Sequence, residues 1–105
     1  MSFPYPAAEA VKGRVLGALL RGELLTHLDC WRRFGSSRLS HHVWALRRLG
    51  WPVQMFETTV RTSDAGRPAQ IGEYYLNADS IGEAGEEGQR YAAEAAAVEL
   101  ERRAA

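Results

Sequence analysis

The sequence contains little or nothing of what several classes of protein require. It has one cysteine among 105 residues, which excludes an internal disulfide and is typical of a protein from a reducing, cytoplasmic setting. No apolar run approaches the roughly 18 residues of a membrane span, and the first ten residues, MSFPYPAAEA, lack the basic and apolar regions of a secretory signal. The length predicts one small domain. Nothing in the sequence predicts that the protein binds a membrane.

Motifs for catalysis and for metal binding are missing as well. The sequence has no nucleophile elbow, no phosphate-binding loop and no closely spaced Ser, His and Asp. His27 and Cys30 are three residues apart and could share a metal ion, but two ligands without a further cluster do not complete a site. A buried Cys30 thiol packed beside Trp31 is the favoured interpretation. We therefore expect no enzyme, no cofactor and no metal centre.

The net charge is also zero at pH 7, with 13 basic and 13 acidic residues, but the charge is distributed unevenly. Residues 1–50 carry eight basic and three acidic side chains, a net of +5. Residues 51–76 have a net charge of −1, and residues 77–105, with three basic and seven acidic side chains, have a net charge of −4. A basic body followed by an acidic tail indicates a charged partner, so the zero sum does not exclude nucleic acid.

Three helices are predicted in the basic half of the chain. Apolar residues at helical spacing indicate amphipathic helices over 7–21, 27–34 and 37–49. Thr26, with Asp29 three residues later, has the pattern of a capping box at the start of the second helix. A glycine follows the end of each predicted helix and marks its boundary.

The same spacing predicts which side of each helix is buried. The third helix is expected to bury its apolar residues spaced three or four apart, which are Leu39, Val43, Leu46 and Leu49. The second helix is expected to place Leu28 and Trp31 on its inner side. Gly13 and Gly17 each reduce the stability of the first helix by about 1 kcal/mol relative to alanine. Close packing against another element is a possible role for them.

The spacing of apolar residues changes after the third predicted helix. Residues 53–62 and 70–76 are rich in β-branched and aromatic residues and flank a turn with Gly, Pro and Asp, which predicts a β-hairpin. Met55 and Phe56 are adjacent and interrupt the alternation, so we expect a bulge or a twist in the hairpin.

The acidic end of the chain is expected to lie outside this domain. Residues 77–88 contain three glycines and indicate a linker, and residues 89–103 indicate a helix with a thin apolar stripe. That stripe consists of Tyr91, Ala95 and Val98. The predicted organisation is an irregular arm over 1–6, one domain over 7–76, and an acidic linker with a C-terminal helix over 77–105.

Three helices followed by a two-stranded hairpin predict a mainly α fold, a winged helix-turn-helix with an extra C-terminal helix. In this fold the third helix enters the major groove of DNA, and no acidic residue occurs between Asp29 and Glu57. The residues expected near base edges are Ser37, Arg38, His41, Trp44 and Arg48. The residues expected at phosphates are Arg32, Arg33, Ser36, Ser40, Arg47 and, at the tip of the hairpin, Arg67.

The same residues allow other interpretations. Arginines on a helix surface are usually just solvated, and some winged helices bind proteins instead of DNA. An outward-facing Trp44 could anchor a partner protein, stack on a sugar or a thymine methyl group, or lie beneath the hairpin. His41 and His42 are about 100° apart around the helix axis and so cannot chelate one metal ion together.

The run from Arg14 to Leu76 resembles a family of small helix-turn-helix proteins that are common in phages, prophages and bacterial mobile elements. The most specific fragments are Leu25-Thr26 to Asp29, Phe34-Gly35-Ser36, Arg38-Leu39 and Leu46-Arg47 to Gly50-Trp51-Pro52. The resemblance implies a winged helix fold and a role in DNA binding or regulation. On the third helix, His41, His42 and Trp44 replace the small or basic residues that relatives commonly have.

The observations and the resemblance together favour a cytoplasmic regulator of phage or prophage transcription that binds double-stranded DNA. A second hypothesis is a phage protein that uses the same fold to bind and inhibit a host complex, such as a CRISPR or restriction complex. The acidic tail could fold back over the basic face or pair two copies, so a homodimer through the C-terminal helix is also left open.

Overall fold

Four helices and one antiparallel hairpin follow one another along the chain. The computed structural model describes residues 3–61 and 68–104, and every element lies within those ranges. In chain order they are α1 (Val11–Leu20), α2 (His27–Phe34), α3 (Leu39–Arg48), β1 (Gln54–Arg61), β2 (Pro68–Tyr75) and α4 (Ala78–Ala104). The predicted winged helix-turn-helix with an extra C-terminal helix is therefore confirmed. No helix within these ranges is long and apolar enough to cross a membrane.

Local signals define both ends of α2, as predicted. At its N-terminus the backbone N–H of Asp29 donates to Thr26 Oγ1 at 3.2 Å, and the backbone N–H of Thr26 donates to Asp29 Oδ2 at 2.9 Å. This complete capping box satisfies N–H groups that the helix itself leaves without partners. At the other end Gly35 has a φ of 68°, a left-handed conformation that costs glycine little because it has no Cβ. The chain can therefore turn sharply from α2 into α3.

The buried side of α2 differs from the predicted one. Leu28 and Trp31, expected on the inner side, are 44% and 57% exposed, whereas Cys30 and Phe34 are buried. Both pairs have helical spacing, so the pattern alone does not choose between them, and α2 is rotated so that Cys30 and Phe34 join the core. The Cys30 thiol is buried, as the packed interpretation predicted, and burial raises its pKa.

α1 and α3 supply most of the core, and α2 and α4 add side chains to it. The predicted apolar stripe of α3 is confirmed. Leu39, Val43 and Leu46 are fully buried, and Leu49, directly after the helix, is half-buried. The apolar side chains that α1 buries in the same core are Val15, Leu16, Leu19 and Leu20. α1 begins at Val11 rather than at residue 7, because Ala10 is extended. Burial of each large side chain contributes roughly 1.5–3 kcal/mol to folding.

β1 and β2 pair in an unbroken register, so the expected bulge is wrong. Met55 and Phe56 are both exposed and belong to opposite faces of the hairpin, and for this reason two adjacent apolar residues do not interrupt the pairing. The hairpin is attached to the connector between α1 and α2 through Leu25. The Leu25 N–H donates to the Tyr74 carbonyl at 2.9 Å, and the Tyr74 N–H donates to the Leu25 carbonyl at 2.8 Å.

The segment predicted as a linker over 77–88 is helical instead. α4 begins directly after Asn77, whose side-chain oxygen accepts a hydrogen bond from the Ser80 N–H at 2.8 Å. Gly85, with a φ of 60°, interrupts the helix and divides α4 into a short and a long part. Ile81 packs against the core, and this tertiary contact offsets the low helix propensity of the glycines.

α4 packs closely along α1. A Cβ atom on Gly17 would overlap the Cβ of Ala95, and one on Gly13 would overlap the backbone that precedes α1. The two glycines therefore allow the close approach that the sequence left open. Tyr91 and Ala95 face α1, so the apolar stripe of α4, through which a homodimer was left open, is used within the chain. In the described part of α4, Leu100 is the large apolar side chain left exposed.

An ion network joins α4 to the rest of the domain. The Glu99 side chain is 7% exposed and accepts two hydrogen bonds from Arg33, Nε to Oε2 at 3.0 Å and Nη2 to Oε1 at 2.9 Å. Arg103 contacts the same carboxylate at 3.4 Å, and Glu23 pairs with both Arg33 and Arg21. The hydrogen bonds to Glu99 raise the pKa of Arg33. This charge-assisted, two-pronged pairing fixes the orientation of α4 as well as its position.

The irregular arm before α1 is packed against the domain. The rings of Phe3 and Tyr5 contact the Trp51 ring, with centroids 5.3 Å and 5.1 Å away. The Trp51 indole Nε1 donates to the Pro4 carbonyl at 2.8 Å, and Tyr5 also contacts Tyr91 on α4. The arm therefore connects the chain just after α3 to the long part of α4.

Replacing Thr26 by alanine should leave the Asp29 N–H without its partner. We expect the free energy of unfolding, measured by urea denaturation, to fall by about 1 kcal/mol. Ser37→Ala is the matched control, because Ser37 is exposed outside the helices and its loss should change the value by less than about 0.5 kcal/mol. Equal losses in the two variants would contradict the capping role.

Replacing Glu99 by glutamine should weaken the attachment of α4. Glu99→Gln keeps the side-chain size but removes the charge opposite Arg33, so we expect the free energy of unfolding to fall by about 2 kcal/mol. Glu101→Gln, at an exposed position of the same helix, should change it by less than about 0.5 kcal/mol. If both variants unfold at the same urea concentration, the ion network does not hold α4.

Candidate nucleic-acid interface

α3 presents a polar face to solvent because its apolar stripe is held in the core. The five side chains expected at base edges are all exposed, on α3 or just before it: Ser37, Arg38, His41, Trp44 and Arg48. The helix itself, LSHHVWALRR, contains no acidic residue. Hydroxyl, imidazole and guanidinium groups supply the hydrogen-bond donors that base edges and phosphates accept.

Three of these side chains form a stack along α3. The rings of His41 and Trp44 have centroids 5.8 Å apart and are 24° from parallel. One helical turn further along α3, the Arg48 guanidinium carbon lies 5.1 Å from the Trp44 centroid. Trp44 is 54% exposed, so it does not lie beneath the hairpin. The contact between guanidinium and indole restrains Arg48 and keeps its donors at the surface.

Ser36 and His42 stabilise the start of α3 from within. Ser36 Oγ accepts a hydrogen bond from the Arg38 N–H at 3.2 Å and lies 3.0 Å from His42 Nε2. Burial lowers the pKa of His42, and the positive charges of His41, Arg38 and Lys12 lower it further. His42 is therefore neutral at neutral pH, and the Ser36 hydroxyl is engaged inside the turn.

A shallow groove of about 180 Å³ separates the start of α3 from the base of the hairpin. Ser37 and Ser40 line it on the side of α3, and Gly72 and Tyr74 line it on the side of the hairpin. The bridge between Tyr74 and Leu25 holds the hairpin at this position. The serine hydroxyls and the hairpin therefore form one surface.

The arginines expected at phosphates differ in their surroundings. Arg32 is exposed near the end of α2. Arg33 is engaged in the ion network with α4, so it is not brought to the face of α3. Arg47 is exposed but donates Nε and Nη2 to the Val53 carbonyl, at 3.0 Å and 2.8 Å. Arg67 lies outside the described residues.

The acidic helix leaves the outer face of α3 open. α4 packs along α1 and contacts α2, and Glu99 holds it there. The tail does not fold back over the basic face, which the sequence left open, because Ser40, His41, Arg47 and Arg48 are exposed with α4 in place. The negative charge of the tail therefore does not neutralise this face by direct contact.

A second group of basic residues was not anticipated from the sequence. Arg14, Arg102 and Arg103 gather with Arg32 and Arg33 around an open cavity between α1, α2 and α4. They come from three separate segments, so no local spacing reveals the cluster. The one signal that could have pointed to it is the position of Arg14 among the apolar residues of α1.

The lowered pKa of His42 predicts a loss of stability in mild acid. The unfolded chain has a histidine pKa near 6.5, and the folded chain has a lower one, so the folded state binds fewer protons between the two values. Stability is therefore highest above about pH 6.5 and falls as the pH drops through the lower, folded pKa. We expect His42→Gln to reduce the decrease in Tm between about pH 7.5 and about pH 5.

His27→Gln is the control for this measurement, because His27 is exposed on α2 and should leave the pH dependence as it is. If the Tm of His42→Gln and the Tm of the unaltered chain decrease by the same amount in acid, titration of His42 does not cause the loss of stability.

Comparison with known proteins agrees with this geometry. A family model described as a winged helix-turn-helix domain matches residues 11–79, which include α1, α2, α3 and the whole hairpin. Neither the curated proteins nor the solved structures contain a significant match. The matched region covers well over half of the chain and contains every described residue expected to contact DNA. The chain belongs to the winged helix-turn-helix domain family.

Proposed function

We propose that the protein binds double-stranded DNA with α3 in a major groove, and that it regulates phage or prophage transcription in the cytoplasm of a bacterial host. The observation that carries the proposal is the outer face of α3, which has exposed donors and no carboxylate while the acidic helix is held on α1. Membership of the family supports DNA as the partner. The regulatory role rests on the resemblance to phage and prophage proteins. The proposal involves neither catalysis nor a cofactor.

The proposed roles of the side chains follow from their surroundings. At base edges we place Ser37, Arg38, His41, Trp44 and Arg48. The Arg48 guanidinium carbon lies 5.1 Å from the Trp44 ring centroid, and its guanidinium fork suits guanine or a phosphate. At phosphates we place Arg32, Ser40 and the remaining nitrogen of Arg47, with Arg67 reaching a neighbouring minor groove. Arg33 and Ser36 are left out, because their polar groups are engaged within the chain.

DNA binding should depend steeply on salt and on Arg48. With about four phosphate contacts, the slope of log affinity against log salt should be about −3.6, which is about a hundredfold loss between roughly 50 mM and 200 mM salt. Arg48→Gln should weaken binding about tenfold or more. Fluorescence anisotropy with labelled random and genomic duplexes measures both.

Arg90→Gln is the matched control, because it removes one exposed arginine from α4 and changes the total charge by the same amount. We expect it to change DNA affinity by less than about twofold. Equal losses in the two variants would mean that only net charge matters. No detectable binding at the lower salt concentration would contradict the proposed function.

A second candidate function is the inhibition of a host protein complex, for example a CRISPR or restriction complex. The exposure of Trp44 favours it, because exposed tryptophans often anchor protein interfaces. In that case a stoichiometric host protein should co-purify with the chain, and Trp44→Ala should remove it while Arg48→Gln should not. Trp31→Ala is the matched control, since Trp31 is equally exposed on α2.

A further inference from the structure

The C-terminal ends of α2 and α4 and the middle of α1 surround an open cavity of about 500 Å³. Five of the residues that line it are arginines, and none is acidic: they are Arg14, Arg32, Arg33, Arg102 and Arg103. The ring of Phe34 forms part of the wall, with the guanidinium carbons of Arg33 and Arg14 at 5.1 Å and 5.8 Å from its centroid. This cluster lies apart from the exposed face of α3 and shares Arg32 with the residues that we place at DNA phosphates.

Arg14 is the residue that distinguishes this cluster from an ordinary basic surface. It is 6% exposed, and its Nε has no hydrogen-bond partner among the described residues. Burial lowers the pKa of Arg14, the nearby charge of Arg102 lowers it further, and the charge of Glu99 offsets only part of this effect. A buried N–H donor without a hydrogen-bond partner is costly to the fold, so the presence of Arg14 beside a cavity requires an explanation.

The carboxylates nearest to the cluster do not supply that partner. Glu99 is shared by Arg33, Arg103 and, at 3.7 Å, Arg21, and Glu23 is shared by Arg21 and Arg33. Within residues 3–61 and 68–104, no ion pair involves the other three arginines of the cavity, which are Arg14, Arg32 and Arg102. The cavity therefore carries an excess of positive charge that the described residues do not balance.

Helix geometry explains only part of the cluster. Arg32, Arg33, Arg102 and Arg103 lie in the last turns of α2 and α4, where cations are favoured by the partial negative charge of the helix end. Arg14 lies inside α1 and gains nothing from a helix terminus. An external anion in the cavity would pair with Arg14, which lines it, and would balance the excess charge at the same time.

The geometry points to a binding site for a small phosphate-bearing anion, held between α1, α2 and α4 by Arg14, Arg32 and Arg102. Guanidinium groups match phosphate oxygens with paired hydrogen bonds, and a cavity of this size is typical of small-molecule sites. The bound anion would link the last turn of α4 to α1 and α2. Binding therefore stabilises the docked tail helix, and it does not require the face of α3.

The test is calorimetric titration of the full chain with inorganic phosphate, and separately with pyrophosphate, against sodium chloride of the same ionic strength. We expect saturable binding of one anion per chain and a rise in Tm that chloride does not produce. Arg102→Gln, which removes an exposed arginine of the cavity, should weaken binding about tenfold or more. Arg90→Gln, an exposed arginine of the same helix outside this cavity, should leave it unchanged.

Arg14→Leu is the second variant, since leucine fills the same buried space without an unpartnered charge. It should lose the phosphate-dependent rise in Tm while its Tm without phosphate is no lower than that of the unaltered chain. If this variant does not fold, Arg102→Gln against Arg90→Gln decides the result. Arg48→Gln separates the site from DNA binding, because it should retain phosphate affinity whatever its effect on DNA.

Three outcomes would overturn the inference. Titration without saturation means that phosphate acts only through ionic strength. Equal weakening by Arg102→Gln and Arg90→Gln means that an anion binds anywhere on the basic surface. Finally, loss of DNA affinity in Arg102→Gln, together with no binding of free phosphate or pyrophosphate, would assign the cavity to a phosphate of the DNA backbone instead of a small ligand.

Discussion

The arrangement of this protein depends on the buried pairing of Glu99 with Arg33. Two hydrogen bonds hold the carboxylate at the end of α2, and the small residues of α1 let α4 approach closely enough to form them. A charge pair of this kind is costly to bury and strongly directional, so it specifies one position for the tail helix. With α4 in that position, the acidic part of the chain lies along α1, and α3 keeps an open basic face.

The zero net charge of the chain is thus the sum of local groups of charges that have different roles. Some arginines have contacts within the chain, such as Arg33 in the ion network and Arg47 of α3, which donates to the Val53 carbonyl just before the hairpin. Others, such as Arg48 on α3, are exposed beside an aromatic ring. A third set surrounds the cavity between α1, α2 and α4. Because charges act mainly over about 10 Å in salt solution, the local sets matter more than the sum.

The candidate DNA-binding surface is carried by rigid elements. The stack of His41, Trp44 and Arg48 stands on a helix whose other side is locked in the core, so its donors keep their relative positions without a ligand. Ser36 and His42 fix the turn that precedes it, and the bridge between Leu25 and Tyr74 fixes the hairpin beside it. Recognition by preformed groups loses less conformational entropy than recognition by loops.

The sequence by itself determined the elements whose causes are local. The capping box at Thr26, the left-handed Gly35 and the buried stripe of α3 involve residues within a few positions of one another, so spacing reveals them. Tertiary structure decided the rest: which side of α2 is buried, whether 77–88 is a helix, and that Arg33 pairs with Glu99, 66 positions away. These outcomes depend on contacts between distant segments, and each segment read alone is compatible with more than one of them. The open face of α3 and the cavity beside Arg14 follow from the position in which α4 docks, and no local pattern encodes that position.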